Sequence, residues 1–261
     1  MRILNYFQNN PASEYANETK YLTNAGKLEV FPYNAGNTNS LHDKIEGGFD
    51  ARKKMAYVLH NGKRLYFPKK FSISSAKNVY LNFIFNMLGE RSSEKFAYQF
   101  PQKTPHQYIT ENFFVKEGDI VLDIGGAEGM FLLSVVDKIK KGYIFEPSTF
   151  WFDALKATFE PYKEKVILIK KLVSDKDTAK EICVDTCLEN DPGNVFIKMD
   201  VEGYESLVLK GAKKVLSRKN DIRVACCTYH KHDDAISFEK FFKDLNYETE
   251  FSDGYMLFFY D

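Results

Sequence analysis

The sequence predicts an α/β fold with a doubly wound, mostly parallel sheet of seven strands. Three observations lead to this prediction. From Gly118 onward, strand-like and helix-like segments alternate regularly, as they do in parallel sheets. The first of these strands runs into a cluster of glycines, which is typical of a ligand-binding turn at the carboxyl end of a parallel strand. The last two strand-like segments flank Ser252-Asp253-Gly254, which predicts a terminal antiparallel hairpin.

The composition is that of a neutral protein with a full apolar core. Of its 261 residues, 44% are hydrophobic, and 36 basic residues balance 36 acidic ones. Nucleic acids and acidic membranes are bound by proteins with an excess of basic residues, which a balanced charge does not provide. Neither is therefore an expected partner. No apolar run approaches the roughly 18 residues of a membrane span, and the first residues turn polar too early for a signal peptide. Four cysteines without the spacing of a zinc site are expected to be reduced, as in a cytoplasmic protein.

Residues 1–116 are predicted to form an N-terminal α+β cap region, ahead of a main domain at 117–261. Within it, Asn61-Gly62 lies between two strand-like runs, and this dipeptide is a strong hairpin signal. The region either covers the ligand site and contacts the substrate or supports a homodimer. The sequence leaves both roles open.

Two helices are predicted in the N-terminal region. Ser74 or Ser75 is expected to cap the first, which ends near Gly89. Its buried face is expected to hold Val79, Phe83 and Met87, which recur at helical spacing. The second is expected to follow Pro105 and to run to Phe113.

In the main domain, each predicted strand is a short run of aliphatic and β-branched residues. These runs lie at 120–123, 143–146, 166–169, 195–200 and 222–228. The helix after the first strand places Phe131, Val135 and Ile139 on one face and is expected to end near Lys141. The next helices are expected at 148–159 and 204–216, and an amphipathic helix buries Phe238, Phe241, Phe242 and Leu245 before the hairpin.

The stretch from Ile120 to Phe131 predicts which ligand binds. An acid, Asp123, precedes the glycines by two residues, and the order is neither the G-x-G-x-x-G of a dinucleotide fold nor a Walker phosphate loop. Gly125 and Gly129 suit a backbone with positive φ or a close approach to a ligand. Glu146 ends the next strand, where a carboxylate can accept both hydroxyls of a ribose.

Together these features favour an adenosyl cofactor without a pyrophosphate, and S-adenosylmethionine fits. The polar segment after the third strand is included in the predicted site. The predicted cofactor residues are Asp123, Gly125, Gly126, Ala127, Glu128, Gly129, Glu146, Ser174 and Asp175.

Three segments resemble the FkbM-like family of S-adenosylmethionine-dependent methyltransferases. They are residues 121–129, 145–147 and 196–205, and the resemblance extends over about residues 105–261. The most specific match is Asp-x-Glu-Gly directly after an apolar strand, at 200–203. The resemblance implies a Rossmann-like methyltransferase fold. It also implies O-methylation of a hydroxyl on a saccharide or a similar polyhydroxylated metabolite, often in surface-polysaccharide biosynthesis.

The chain departs from the family pattern at two places. Many members have Gly-Ala-Asn where this chain has Gly126-Ala127-Glu128, which should change contacts to the amino-acid end of the cofactor. Many also have a Glu-x-His-like end to the fifth strand, where this chain has Tyr229-His-Lys-His232. The second departure leaves the identity of the catalytic base open.

Methyl transfer to a hydroxyl requires alignment of the reacting atoms and a base, so the strand ends supply the catalytic candidates. Asp200 is expected to position or deprotonate the acceptor, or to cap the next helix. His230 is a candidate base, since an imidazole titrates near neutral pH, or an ordinary loop histidine. Glu202 is a candidate as well, or a first-turn helix acid. Lys198, inside a buried strand, is expected to pair with Asp200 or Asp123, or to bind substrate.

Three alternatives remain open at this point. A divalent metal held by Asp200 and His230, with His232, Asp233 and Asp234 nearby, is conceivable, although the last two acids more simply cap a helix. A nicotinamide-dependent oxidoreductase is the second possibility, disfavoured by the glycine order and the terminal hairpin. The third is a catalytically silent module that keeps the cofactor fold within a glycan-assembly complex.

Overall fold

The structure, a computed structural model, describes residues 42–83, 108–110, 112–218, 220–251 and 256–260. Residues from Ile45 onward belong to one compact unit, which is the part described below. The predicted end of the first helix, the start of the second and the tip of the terminal hairpin lie outside the described residues. The proposed boundary at residue 117 stays a prediction.

The N-terminal part of this unit contains a small antiparallel sheet and one helix. Its strands are β1 (Gly47–Asp50), β2 (Met55–His60) and β3 (Lys63–Tyr66), and its helix is α1 (Ile73–Phe83). Strands β2 and β3 pair from Tyr57 with Tyr66 to His60 with Lys63, which confirms the hairpin predicted at Asn61-Gly62. The sheet is anchored to the main domain by the Tyr66 amide, which donates to the Thr158 hydroxyl at 3.0 Å.

Three details of the N-terminal helices differ from prediction. Ser72, rather than Ser74 or Ser75, caps α1, because its hydroxyl accepts from the Ser75 amide at 3.0 Å. The buried face of α1 carries Ala76, Tyr80 and Leu81, whereas Val79 is only half-buried. The second predicted helix is absent from 108–110 and 112–113, where the Thr110 amide closes a turn on the Phe113 carbonyl instead.

The main domain is built on a seven-stranded sheet. Its strands are β4 (Ile120–Ile124), β5 (Lys141–Phe145), β6 (Val166–Ile169), β9 (Val195–Met199), β10 (Ile222–Cys227), β11 (Glu248–Phe251) and β12 (Met256–Tyr260), and a separate two-stranded ladder is formed by β7 (Leu172–Val173) and β8 (Glu181–Ile182). The order of strands in the large sheet is β11-β12-β10-β9-β4-β5-β6. Strands β4, β5, β6, β9 and β10 are parallel, and β12 runs antiparallel to β10 and β11. The parallel α/β arrangement is confirmed.

The helix predicted at 148–159 is confirmed, whereas the helix after β4 and the one predicted at 204–216 differ from prediction. The connecting helices are α2 (Met130–Val135), α3 (Thr149–Phe159), α4 (Val184–Cys187), α5 (Glu205–Lys210), α6 (Lys213–Leu216) and α7 (Asp234–Asp244). Helix α2 ends at Val135 rather than near Lys141. The reason is that the chain beyond it bonds back to the segment before β4: the Lys138 carbonyl accepts from the Gly118 amide, and the Lys140 amide donates to the Asp119 carbonyl, both at 2.9 Å.

The helix predicted at 204–216 is two helices, α5 and α6. The break lies at Gly211, where a Cβ would stand only 2.0 Å from the Ser174 carbonyl oxygen. The Gly211 carbonyl accepts from the Asp185 amide at 2.9 Å, and the Asp185 carboxylate accepts from the Lys214 and Val215 amides at the start of α6. The neighbouring loops therefore take over the backbone bonds that a continuous helix would have made. Among the described helices, none has the length and apolar character needed to cross a membrane.

The central strands are buried along their whole length, because helices cover both faces of the sheet. At their amino ends, a buried ion pair joins β10 to the segment before β4. Arg223 donates to both carboxylate oxygens of Asp119 at 2.8 Å, and both side chains are almost fully buried. The carboxyl ends of the strands lie at the opposite edge of the sheet, and the candidate site is located there.

The buried imidazole of His60 makes the stability of the N-terminal sheet depend on pH. Its Nδ1 lies 3.0 Å from the Tyr80 hydroxyl, and burial, followed by the charge of Lys63, lowers the pKa of His60 to about 4. Below the ordinary pKa of histidine, about 6.5, His60 is protonated in the unfolded chain but stays neutral in the folded chain. The free energy of unfolding therefore falls as the pH falls from about 6.5 toward the lowered pKa of His60. We expect a loss of about 2 kcal/mol in unfolding free energy between roughly pH 7 and pH 5, measured by denaturant titration.

His60→Asn is the matched control for this expectation. The amide can still bond to the Tyr80 hydroxyl but does not titrate in this range. The variant should therefore lose less stability than the native chain over the same pH interval. Equal losses in the two proteins would contradict the assignment.

Candidate active site

The turn after β4 has the backbone geometry that its glycines predict. Gly125, Ala127 and Gly129 have φ values of 77°, 43° and 80°, in the left-handed region. A Cβ on Gly125 would lie 1.8 Å from the Asp200 carbonyl oxygen, so the turn and the end of β9 can approach this closely only with glycine. Gly129 has a different role, since a Cβ there would collide with Leu155 and Phe159 of α3. Gly125 shapes the site, whereas Gly129 allows close packing against α3.

Glu146 follows β5 directly and joins the glycine turn to the start of α3. One carboxylate oxygen accepts from the Ala127 amide at 2.9 Å and the other from the Ser148 amide at 2.7 Å. The Ser148 hydroxyl caps α3, as predicted, by accepting from the Phe150 amide. Glu146 is 7% exposed and lines the cavity described below, so its remaining acceptor capacity faces that cavity.

Lys198 and Asp123 form a buried ion pair beneath the glycine turn. They are register partners on the adjacent strands β9 and β4, and the Lys198 Nζ lies 3.1 Å from the Asp123 carboxylate. Lys198 also donates to the Gly125 carbonyl and lies 5.3 Å from the centre of the Tyr108 ring. Burial opposes its charge, but the negative charge of Asp123, aided by Asp200, outweighs burial and raises the pKa of Lys198. Of the two partners predicted for this lysine, Asp123 makes the contact.

A cavity of about 570 Å³ opens at the carboxyl ends of these strands. Five of the predicted cofactor residues line it: Gly125, Gly126, Ala127, Glu128 and Glu146. Ser174 and Asp175 do not line it. The segment Lys171–Val173 lines it instead, because the chain turns away after β7 and leaves Ser174 buried beneath the surface and Asp175 exposed.

Asp200 lines one side of this cavity, and His230 lies next to it. The Tyr108 hydroxyl donates to the Asp200 Oδ2 at 2.7 Å, and the His230 Nε2 lies 3.5 Å from the Asp200 Oδ1. The same Nε2 lies 3.5 Å from a carboxylate oxygen of Glu202, which is highly exposed and has a φ of 54°. The structure therefore brings three of the four predicted catalytic side chains together around one imidazole nitrogen.

The other nitrogen of His230 contacts Glu205. The Nδ1 lies 2.8 Å from Glu205 Oε1, an oxygen that also accepts from the Val201 amide at 2.9 Å, and Glu205 is fully buried. An ionised carboxylate only accepts hydrogen bonds, so the neutral imidazole carries its proton on Nδ1. The Nε2 lone pair therefore points toward Asp200 and Glu202, where it can accept a proton.

Sequence reasoning missed two residues of this arrangement, Tyr108 and Glu205. Glu205 stands in the segment that carries the family resemblance, three residues after Glu202, and that spacing could have indicated a second carboxylate near the strand ends. Tyr108 lies in the segment predicted as the second helix, and nothing in the sequence links it to Asp200.

The metal alternative takes a different form from the one predicted. Within the described chain, Asp200, Glu202 and His230 each offer an atom within 4.8 Å of the others, a set that could hold a divalent ion. His232 pairs instead with Asp233 at 2.8 Å on the surface. Asp234 accepts from the Lys231 amide at the start of α7, as a helix-capping acid does.

Comparison with known families finds a match over part of the chain. The model of the methyltransferase FkbM domain matches residues 156–253. The match begins inside α3 and includes the Asp200–Gly203 turn, Glu205 and His230, whereas the glycine turn and Glu146 precede it. No curated protein matches the chain.

Solved structures give partial likenesses. A precorrin-6y C5,15-methyltransferase from Geobacter metallireducens GS-15 is 14% identical with a TM-score of 0.40, covering 56% of this chain and 81% of that one. A protein assigned as a methyltransferase from Streptococcus mutans, in complex with SAH, is 14% identical with a TM-score of 0.41, covering 56% and 90%. A SAM-dependent methyltransferase from Aquifex aeolicus is 14% identical with a TM-score of 0.39, covering 57% and 85%.

The family match carries the assignment, since every one of these TM-scores is too low to add to it. It confirms the resemblance seen in the sequence and displaces the nicotinamide-dependent oxidoreductase as an alternative. The matched segment contains the strand ends that supply Asp200, Glu205 and His230. Residues 156–253 therefore match a methyltransferase FkbM domain, and the protein is a methyltransferase whose methyl donor is S-adenosylmethionine.

Proposed function

We propose that this methyltransferase O-methylates a hydroxyl of a saccharide or a similar polyhydroxylated small molecule. The observation that carries the proposal is the Glu205–His230 pair, which leaves an imidazole Nε2 available beside the cavity. A hydroxyl is a weak nucleophile at neutral pH and needs such a base, whereas an amine often does not. When bound, S-adenosylmethionine supplies a methyl group that a hydroxyl oxygen can displace from the sulfonium sulfur.

The residues around the glycine turn fit an adenosyl cofactor. Gly125 lines the cavity without a Cβ, so a ligand can approach its backbone closely. Glu146 places a carboxylate at the position where ribose hydroxyls are expected. Gly126, Ala127 and Glu128 complete this side of the cavity. Lys198 and Asp123 lie underneath and hold the turn in place, so we assign them a positioning role. Ser174 and Asp175 lie outside this wall and have no part in the proposal.

His230 is the proposed general base. Its Nε2 takes the proton of the acceptor hydroxyl, and Glu205 keeps the imidazole in the correct tautomer and stabilises its protonated form. Asp200, held by the Tyr108 hydroxyl, orients the acceptor from the opposite side. Glu202, exposed at the rim, makes a further polar contact to a hydroxylated acceptor.

Two exposed aromatic side chains, one lining the cavity and one beside His230, support a sugar as the acceptor. Tyr204 lines the cavity and is 44% exposed, and Tyr229 is 37% exposed with its ring 4.5 Å from that of His230, measured between centroids. Exposed aromatic faces next to carboxylates suit a ring that carries apolar C–H faces and polar hydroxyls. The balanced charge of the chain adds no footprint for nucleic acid. The proposed location of the reaction is the cytoplasm. The proposal is compatible with a homodimer.

The first prediction concerns the acceptor. Purified protein should release S-adenosylhomocysteine when given S-adenosylmethionine and an extract of surface-glycan precursors, and should release none with total RNA from the same cells. Mass spectrometry should place the added methyl group on oxygen. Turnover with RNA but not with glycans would contradict the saccharide assignment, and no turnover with any extract would favour a catalytically silent module.

The second prediction concerns Glu146. Glu146→Ala should weaken S-adenosylmethionine binding by about 1.5–3 kcal/mol, the range for hydrogen bonds to a charged group, as measured by calorimetry. The control is Glu164→Ala, an exposed acid outside the cavity, which should bind normally. The melting temperature of both variants should be measured as well, because Glu146 also accepts hydrogen bonds from the Ala127 and Ser148 amides. This measurement separates a loss of binding from a loss of folding. An unchanged dissociation constant in a folded Glu146→Ala protein would remove the ribose assignment.

The third prediction separates chemistry from binding. His230→Gln should lower kcat about 10²–10⁴-fold, because the base is lost, and leave the dissociation constant of S-adenosylmethionine nearly unchanged. Glu205→Gln should also lower kcat, since the imidazole loses the carboxylate that orients it and fixes its tautomer. The two substitutions together should cost little more than His230→Gln, because they act as one unit. Full activity in the His230 variant would place the base elsewhere.

A further inference from the structure

Glu128 is a buried carboxyl group that the proposed reaction does not use. It lies in the glycine turn, lines the cavity and is only 3% exposed. Within the described part of the chain, its Oε1 has no hydrogen-bond partner. A buried polar group without a partner costs about 1–3 kcal/mol of stability, so its presence in a ligand cavity points to a ligand that interacts with it.

The charges around Glu128 favour a cationic ligand. Four carboxyl groups line the cavity, those of Glu128, Glu146, Asp200 and Glu202. Two lysines also line it, and both are already engaged. Lys198 pairs with Asp123 at 3.1 Å, and Lys171 donates to the Thr178 carbonyl at 2.9 Å. With Glu128 left out of the count, Glu146, Asp200 and Glu202 still outnumber the two lysines, so the walls carry an excess of negative charge that a positively charged ligand would balance.

The protonation state of Glu128 responds to its surroundings. Burial raises the pKa of Glu128 to about 8, its own backbone amide and Lys198 act against burial, and the charges of Asp123 and Glu146 add to it. These three charged side chains face Glu128 from β4, from β9 and from the end of β5. Near neutral pH the carboxyl group therefore keeps its proton, and a positive charge placed beside it would release that proton.

The methyl donor and its product differ by one positive charge. S-adenosylmethionine carries a sulfonium, an ammonium and a carboxylate, whereas S-adenosylhomocysteine has a neutral thioether in place of the sulfonium. A site that responds to this charge can bind the donor and release the product, although the two molecules have nearly the same shape.

We propose that Glu128 discriminates the sulfonium donor from the thioether product by ionising when the donor binds and regaining a proton after methyl transfer. The proposal rests on the proposed placement of the cofactor in this cavity. Donor binding releases one proton from Glu128 to solvent, and the carboxylate takes one up when the sulfonium charge is lost. Over the whole cycle the only net proton is the one that the acceptor hydroxyl gives up.

Calorimetry in buffers of different ionisation enthalpy tests this proposal. In the native protein near neutral pH, binding of S-adenosylmethionine should release up to about one proton, and binding of S-adenosylhomocysteine should release clearly fewer. The preference for the donor should grow between roughly pH 6 and pH 8, by at most tenfold per pH unit. Glu128→Gln, which is isosteric and neutral, should lose the difference in proton release and show a constant preference. Glu164→Gln is the matched surface control and should behave as the native protein.

The outcomes distinguish this inference from the proposed site. If the native protein and Glu128→Gln show equal proton release and equal pH dependence, the role of Glu128 is overturned while the cofactor site stands. If neither cofactor form binds the native protein, the proposed cavity fails instead. Glu128→Leu covers the case in which the Gln variant does not fold: it removes the unpartnered carboxyl, should unfold at a higher temperature than the native protein, and should bind donor and product with more nearly equal affinity.

Discussion

The arrangement of the site depends on one buried ion pair, between Lys198 and Asp123. The pair bridges β9 and β4, and Lys198 also holds the Gly125 carbonyl, so a single cation fixes the strand ends and the turn between them. Two charges leave water to form this pair, and only close geometry compensates that desolvation. The absence of a Cβ at Gly125 then lets the turn contact the Asp200 carbonyl. Without the pair, neither wall of the cavity would keep its position.

Each side of the cavity is supported by a buried or nearly buried carboxylate. This carboxylate accepts hydrogen bonds from backbone amides and orients the groups next to it. Glu146 accepts from the Ala127 and Ser148 amides and shapes the cofactor side. Glu205 accepts from the Val201 amide and contacts the Nδ1 of His230 on the acceptor side. Glu202 lies between them with a left-handed backbone, a strained conformation of the kind that clusters at functional sites.

Prediction from sequence succeeded where the deciding interactions are local. The hairpin at Asn61-Gly62, the capping of α3 by Ser148 and the positive φ values of Gly125 and Gly129 follow from a few neighbouring residues. It failed where distant segments compete for the same backbone groups. Helix α2 ends early because its continuation bonds to the segment before β4, and the 204–216 helix breaks because the loop after β7 occupies the space beside Gly211.

The sequence by itself determined the strand–turn–helix that forms the cofactor side, the parallel sheet that carries it and the family to which the strand-end motif belongs. Hydrophobic periodicity, the spacing of glycines and an acid at the end of a strand all depend on residues that are close together in the sequence. The tertiary structure decided which carboxylate pairs with Lys198, that Tyr108 donates to Asp200, and that Glu205 contacts the Nδ1 of His230. These contacts join residues from different strands and loops, and their distances depend on how the strands align and the loops fold back, which the spacing of residues in a sequence does not encode.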